Sequence, residues 1–156
     1  GVHYLKRDVR FDTAEADVNE MFRTFSVQIP ADIYVLAHAT APFQKEESID
    51  RGIKQVKSGK YDSAVAVTKM LEFIWQDGQP LNYNTKKIPR TQDLKPYYVE
   101  TTGLYIFTQN VIQEKKSRIG DSPYLLEVSK IESTDINDPI DFEIADAIYT
   151  NGLTKF

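Results

Sequence analysis

Cysteine is absent from the chain. Its absence excludes disulfides, thiolate metal sites and a thiol nucleophile, and it is compatible with a reducing cytoplasm, the expected compartment. No apolar run is long enough to span a bilayer. The opening Gly1-Val2-His3-Tyr4-Leu5-Lys6-Arg7 lacks the apolar stretch of a signal peptide, so none is expected there. A basic excess is missing too. Lys and Arg total 19 against 23 Asp and Glu, a net charge of −4, so neither nucleic acid nor an anionic membrane is an expected partner. There is no internal repeat and no low-complexity tract. What is present suits a single soluble domain: 156 residues can bury one core without staples, and 41% hydrophobic residues can fill it.

The patterning predicts alternating strands and helices. Val2 to Leu5 reads as a short strand. Val18, Met21, Phe22 and Phe25 recur at helical spacing, and Pro30 stops that helix. The apolar run Ile33 to Ala37 predicts a strand buried on both faces. Ile49, Ile53 and Val56 form the stripe of a second helix, with Gly59 at its end. Ala64 to Val67 is a second buried strand, and strand–helix–strand succession predicts that the two are parallel. Phe73 to Leu81 carries an Asp77-Gly78 turn signal, and Asn82 to Lys95 reads as a long extended loop. Leu104 to Phe107 and Tyr124 to Val128 are further strands, with a short helix at Val111 and Ile112 between them. The last helix has the strongest signals: Asp138 as N-cap, Pro139 in the first turn, Asp141 where the macrodipole favours an acid, and Gly152 at the end. Ile140, Ile144, Ala147 and Ile148 are its expected buried stripe. The expected fold class is α/β, a mainly parallel sheet flanked by helices, with an inserted arm.

Three constellations are candidates for chemistry. His38 and Thr40 follow a buried strand, where open α/β sheets place ligands; the competing reading is a turn whose Thr bonds its own backbone. Arg90 offers a fork that suits a carboxylate, Gln92 an amide, and Tyr98 and Tyr105 flat walls with hydroxyl tips. A solvated loop beside an aromatic interface explains that stretch equally well. Asp135 lies between a strand and a capped helix, where a carboxylate can hold a hard cation, with Asn137 on the same side of an extended backbone; ordering of the turn is the plainer alternative.

Taken in order, these segments resemble the cytidylyltransferase family of CMP-sialic acid and CMP-KDO synthetases. His38-Ala39-Thr40-Ala41-Pro42-Phe43 is similar to its Gln-Pro-Thr-Ser-Pro-Leu, and Glu47 to Ile53 to its Glu-x-Ile-x-x-Ala-Ile. Asp62 to Val67 is similar to Asp-Ser-x-x-Ser-Val, Pro89 to Asp93 to Pro-Arg-x-Gln-Asp, and Glu100 to Ile106 to Glu-Asn-Gly-x-Ile-Tyr-Ile. Asp135 to Phe142 is similar to Asp-Ile-Asp-x-Pro-x-Asp-Leu. The resemblance implies a nucleotide-diphospho-sugar-transferase-like fold and transfer of CMP from CTP to the anomeric hydroxyl of a nine-carbon 2-keto sugar acid, with release of pyrophosphate. It implies magnesium at Asp135, with Asn137 where the family has a second Asp, and both Asp135 and Arg90 as catalytic groups. His38, Thr40, Gln92 and Tyr105 would bind substrate. Residues 73–98 correspond to the family's dimerisation arm, with Trp75, Tyr83 and Tyr97 at the interface of a homodimer. Residues 1–156 would then be one cytidylyltransferase-like domain. Nothing matches the family's opening Pro-Ala-Arg-x-Gly-Ser-Lys loop, which implies either a fragment or a non-catalytic relative that binds a nucleotide sugar or only dimerises.

Overall fold

The computed structural model describes residues 1–155. Helix α1 (Val18–Gln28) is opened by Asp17, whose side chain accepts the Asn19 N–H. Its apolar stripe includes Phe22 and Phe25, both of which meet rings of the sheet. Strand β1 (Ile33–Ala37) follows, then α2 (Glu46–Lys57), β2 (Ser63–Met70), the short pair β3 (Trp75–Gln76) and β4 (Gln79–Pro80), the long β5 (Tyr97–Thr108), β6 (Pro123–Glu127) and α3 (Pro139–Thr150). Asp77 and Gly78 both take positive φ, as a tight β-hairpin turn between β3 and β4 requires.

The architecture is mixed α/β. Its main sheet has four strands in the order β1-β5-β2-β6. The expectation of a mainly parallel sheet needs correction. β5 pairs antiparallel with both β1 and β2, and only β2 with β6 is parallel. β1 and β2 do run the same way, as a strand–helix–strand unit demands. They are not neighbours, because β5 returns between them. Alternation along β5 divides the core. Tyr105 and Phe107 join Tyr34, Val65, Val67, Val111 and Ile112 on one face, with Phe22 of α1 against them. Leu104 and Ile106 join Ala64, Ala66, Leu126 and Val56 of α2 on the other. Each fully buried large side chain in these layers contributes about 1.5–3 kcal/mol.

Three further expectations change. Val2 to Leu5 forms no strand: it pairs with neither edge of the sheet, and Val2 and Tyr4 are exposed. β1 is buried on one face only: Tyr34 is buried and Val35 exposed, because β1 is an edge strand with β5 as its partner. The expected buried stripe of α3 is largely in solvent. Ile140, Phe142, Ile144 and Tyr149 are exposed, and Ala145 is its buried residue. α3 packs mainly on the turn that follows it, so its caps carry much of its stability. Those caps are as expected: Asp138 and Asp141 form a reciprocal capping box, with Pro139 in the first turn. No helix among the described residues is long and apolar enough to cross a membrane.

Candidate functional site

Three segments converge beyond the carboxyl end of β1. The first is the turn that begins at His38, whose backbone N–H donates to Gly103 O at 3.0 Å. The second is a displaced stretch of β5. Pairing with β2 passes from Val65↔Tyr105 to Val67↔Glu100, so residues 101–104 bulge out of that ladder. Such bulges re-aim side chains at the ends of strands. Gly103 lets the first turn close on the bulge, because a Cβ there would lie 2.7 Å from Ala41 Cβ and 2.8 Å from Gln44 Nε2. Thr102 takes φ 59°, a left-handed conformation in which a β-branched residue is strained. The third segment is the loop after β6, tied back by Ile136 N–H donating to Thr40 O at 2.9 Å.

Asp135 stands at this junction. Thr102 Oγ1 donates to its Oδ2 at 3.0 Å, and Asn137 Nδ2 at 3.1 Å. Its Oδ1 is shielded from solvent and lacks a hydrogen-bond partner. The Thr40 hydroxyl beside it, then Asn137, Thr102 and the nearby His38, hold the carboxyl below its ordinary range despite burial. The group is therefore an anion at neutral pH, with the Thr40 hydroxyl its strongest support. Thr101 Oγ1 and Gln44 Oε1 are likewise buried without partners.

A second layer lies under His38. Its ring is 6.4 Å from that of Tyr105. Tyr105 is fully buried, so it supports the crevice rather than lining it as a wall. The Tyr105 hydroxyl donates to Glu100 Oε1 and accepts from Arg118 Nη2, the latter at 3.2 Å. The Arg118 guanidinium lies over the ring, 4.1 Å from its centroid. Burial, then the Glu100 carboxylate, push the Tyr105 hydroxyl up to about 12.

His38, Thr40, Asp135, Asn137 and Tyr105 are thus brought together. Arg90 and Gln92 are not. They occupy the exposed turn at residues 90–93, where Arg90 Nε donates to Asp93 Oδ2 at 2.8 Å. Trp75 and Tyr97 are exposed, whereas Tyr83 is half-buried against Phe73 and Trp75. Sequence reasoning missed Thr102, Arg118 and Glu132. Glu132 is buried, and its carboxylate accepts from Lys45 N–H at 3.4 Å at the start of α2, a helix without a side-chain cap of its own. Asp62, quoted only as part of a motif, accepts from the Asp121 and Ser122 N–H groups, and Ser63 Oγ accepts from Gly120 N–H. A polar cleft of about 580 Å³ is lined by Lys45, Glu47, Ser48, Arg51 and the same Glu132, and an apolar hollow of about 190 Å³ lies beside Phe22, Tyr34 and Phe107. A comparison with protein-family models found no match to this chain.

Among the described residues no three His, Cys, Asp or Glu side chains cluster as a metal cage. The groups bonded to Asp135 are a hydroxyl and an amide, with the His38 imidazole nearby. Magnesium is commonly held by one or two carboxylates plus substrate phosphates, and Asp135 is the carboxylate of this junction that suits that mode. Asn137 turns its amide nitrogen toward Asp135, so in this arrangement it orients the carboxylate.

Proposed function

We propose that this protein is a cytidylyltransferase that transfers CMP from CTP to the anomeric hydroxyl of a sialic-acid-like 2-keto sugar acid, on a nucleotide-diphospho-sugar-transferase-like fold. The observation that carries the reading is Asp135: ionised, held by Thr40, Asn137 and Thr102, and set against a strained bulge at the carboxyl end of a strand. It supports the role that the motif resemblance assigns to that position. Asp135 would hold magnesium, with Asn137 and Thr102 fixing its rotamer. The bound ion would neutralise charge on the triphosphate as pyrophosphate departs. The chain's own residues supply position: Thr40 and His38 border the acceptor side of the crevice, over the Tyr105–Glu100–Arg118 layer. Arg90 and Gln92, on the exposed arm at 73–98, would reach the sugar acid of a second copy, with Trp75, Tyr83 and Tyr97 at the dimer interface. Use of CTP implies a cytoplasmic site of action.

A second reading is favoured by one observation. The Arg90 guanidinium is taken up by Asp93, as expected of a homologue that binds a nucleotide sugar or only dimerises. Pyrophosphate release separates the two. The full product of the reading frame is incubated with CTP, magnesium and a panel of nine- and eight-carbon 2-keto acids. Release that disappears in Asp135→Asn supports catalysis at this site. A folded protein that releases none refutes it, and unchanged release in Asp135→Asn refutes the metal assignment.

A further inference from the structure

Arg118 differs from the other arginines of this chain. Arg7, Arg10, Arg23 and Arg90 each lie within ion-pair distance of a carboxylate, and Arg51 Nη2 donates to Glu127 O. Arg118 has no carboxylate that close among the described residues. Its side-chain partner is the Tyr105 hydroxyl, through which Glu100 reaches the guanidinium without a direct ion pair.

It is also held rigidly. Arg118 N–H donates to Asn19 Oδ1 at 3.1 Å, and Ile119 N–H to Ser117 Oγ at 3.0 Å. Ile119 packs against the core, and Gly120 is pinned between Ser63 and Asp62. The guanidinium lies over a buried ring, and that ring also adjoins the tilted ring of His38. A planar fork stacked on an aromatic face is pre-organised and loses little rotamer freedom when it binds. What it matches best is a planar anion taken in two parallel hydrogen bonds, a carboxylate.

We infer that Arg118 binds the carboxylate of the 2-keto sugar acid, beside the Tyr105 ring that also adjoins His38. This rests on the acceptor assigned under the proposed function, and it gives the carboxylate a contact from the chain's own core. Tyr105 and Glu100 are positioning residues, since they act on substrate through Arg118.

The probes are N-acetylneuraminate, its methyl ester, which keeps the sugar but lacks the charge, and CTP with magnesium. Each is titrated calorimetrically into the wild-type protein, Arg118→Gln and Arg118→Lys. Wild type is expected to prefer the acid over the ester by roughly 10- to 100-fold, as for a hydrogen-bonded charge pair. Arg118→Gln should bind acid and ester alike, with CTP affinity unchanged, and Arg118→Lys should fall between. Undiminished acid binding in Arg118→Gln overturns the inference alone. Loss of CTP binding instead of acid binding also overturns it, by making the contact a phosphate. Parallel loss of both overturns it as well, by reducing Arg118 to a structural role. A wild type that binds no acid sinks the acceptor reading and this inference together. Should Arg118→Gln not fold, phenylglyoxal labelling of wild-type Arg118 decides. Protection by the acid but not the ester is expected, and equal or absent protection refutes the contact.

Discussion

Gly120→Ala is the substitution whose effect follows most directly from the coordinates. A Cβ at residue 120 would lie 2.3–2.4 Å from the carboxylate carbon and both oxygens of Asp62. No rotation of the methyl relieves that, so the carboxylate must leave its cradle. It would abandon the Asp121 N–H at 2.8 Å, the Ser122 N–H at 3.2 Å and the Ser63 hydroxyl at 3.0 Å. Hydrogen bonds to charged groups contribute about 1.5–3 kcal/mol each, but these lie near the surface and water replaces part of them. The expected loss is about 2–3 kcal/mol, a melting temperature lower by roughly 5–10 °C for a domain of this size. Urea unfolding followed by circular dichroism measures it. Asp62→Ala should cost about as much, because it empties the same cradle. The double variant should cost no more than either single one, giving a coupling of about 2 kcal/mol. If Gly120→Ala stays within about 0.5 kcal/mol of wild type, or if the two losses simply add, the steric account is wrong.

Other outcomes follow from single features. Asp135 has a folded pKa below its unfolded value of about 3.9, so its stabilisation is complete above that value and disappears as pH falls through the folded pKa. Asp135→Asn should therefore flatten the acid limb of the stability profile below about pH 4, and an unchanged limb would count against the hydrogen-bonded anion. Tyr105 should ionise at about pH 12, seen as a late step in absorbance at 295 nm that Tyr105→Phe removes. As a raised acid it contributes stability that is intact below about pH 10 and lost as pH rises toward 12. Asp138→Ala removes one half of a capping box worth about 1 kcal/mol. Because α3 packs on little else, hydrogen exchange should quicken in α3 while the global midpoint barely moves. Trp75 is the single tryptophan and is exposed, so dimerisation through the arm should shift its emission to the blue as concentration rises. Emission independent of concentration, with a monomer by sedimentation, would refute that interface.

Local signals were legible in the sequence where local physics decides. The stripe Ile49, Ile53 and Val56, the Asp77-Gly78 turn and the Asp138 capping box all act within a few residues, and each appears where the spacing puts it. Pairing was not legible. Nothing local in residues 97–108 says that β5 enters between β1 and β2, because that choice rests on contacts across the chain. The exposure of Ile140 and Ile144 was hidden for a related reason: periodicity reveals a helix's apolar face but not whether anything covers it. Within the site, Asp135, Thr40 and His38 could be found by their place after strands. Thr102 could not, since its role depends on a bulge that periodicity does not encode. Tyr105, expected as a pocket wall, lies in the continuous apolar run Leu104 to Phe107 of a central strand, and the structure buries it in the core. Arg118 sits in a charged stretch, 114–118, and only the ring beneath it sets it apart.

The place of β5 in the sheet also orders events during synthesis. β2 can begin to pair at Met70↔Tyr97, but β1 pairs only with Leu104 to Thr108, so it cannot join β5 until the last residues of β5 have been made. At about 5–20 residues per second, the apolar strand β1 leaves the ribosome several seconds before β5. During that interval Ile33 to Ala37 is a nascent, β-prone and uncharged segment with an open edge. Folding therefore awaits a late, non-local closure, and high contact order of this kind slows the search. Collapse should come as one step when β5 arrives, and slowed translation between residues 70 and 97 should raise the yield of aggregate, because it lengthens the exposure of β1.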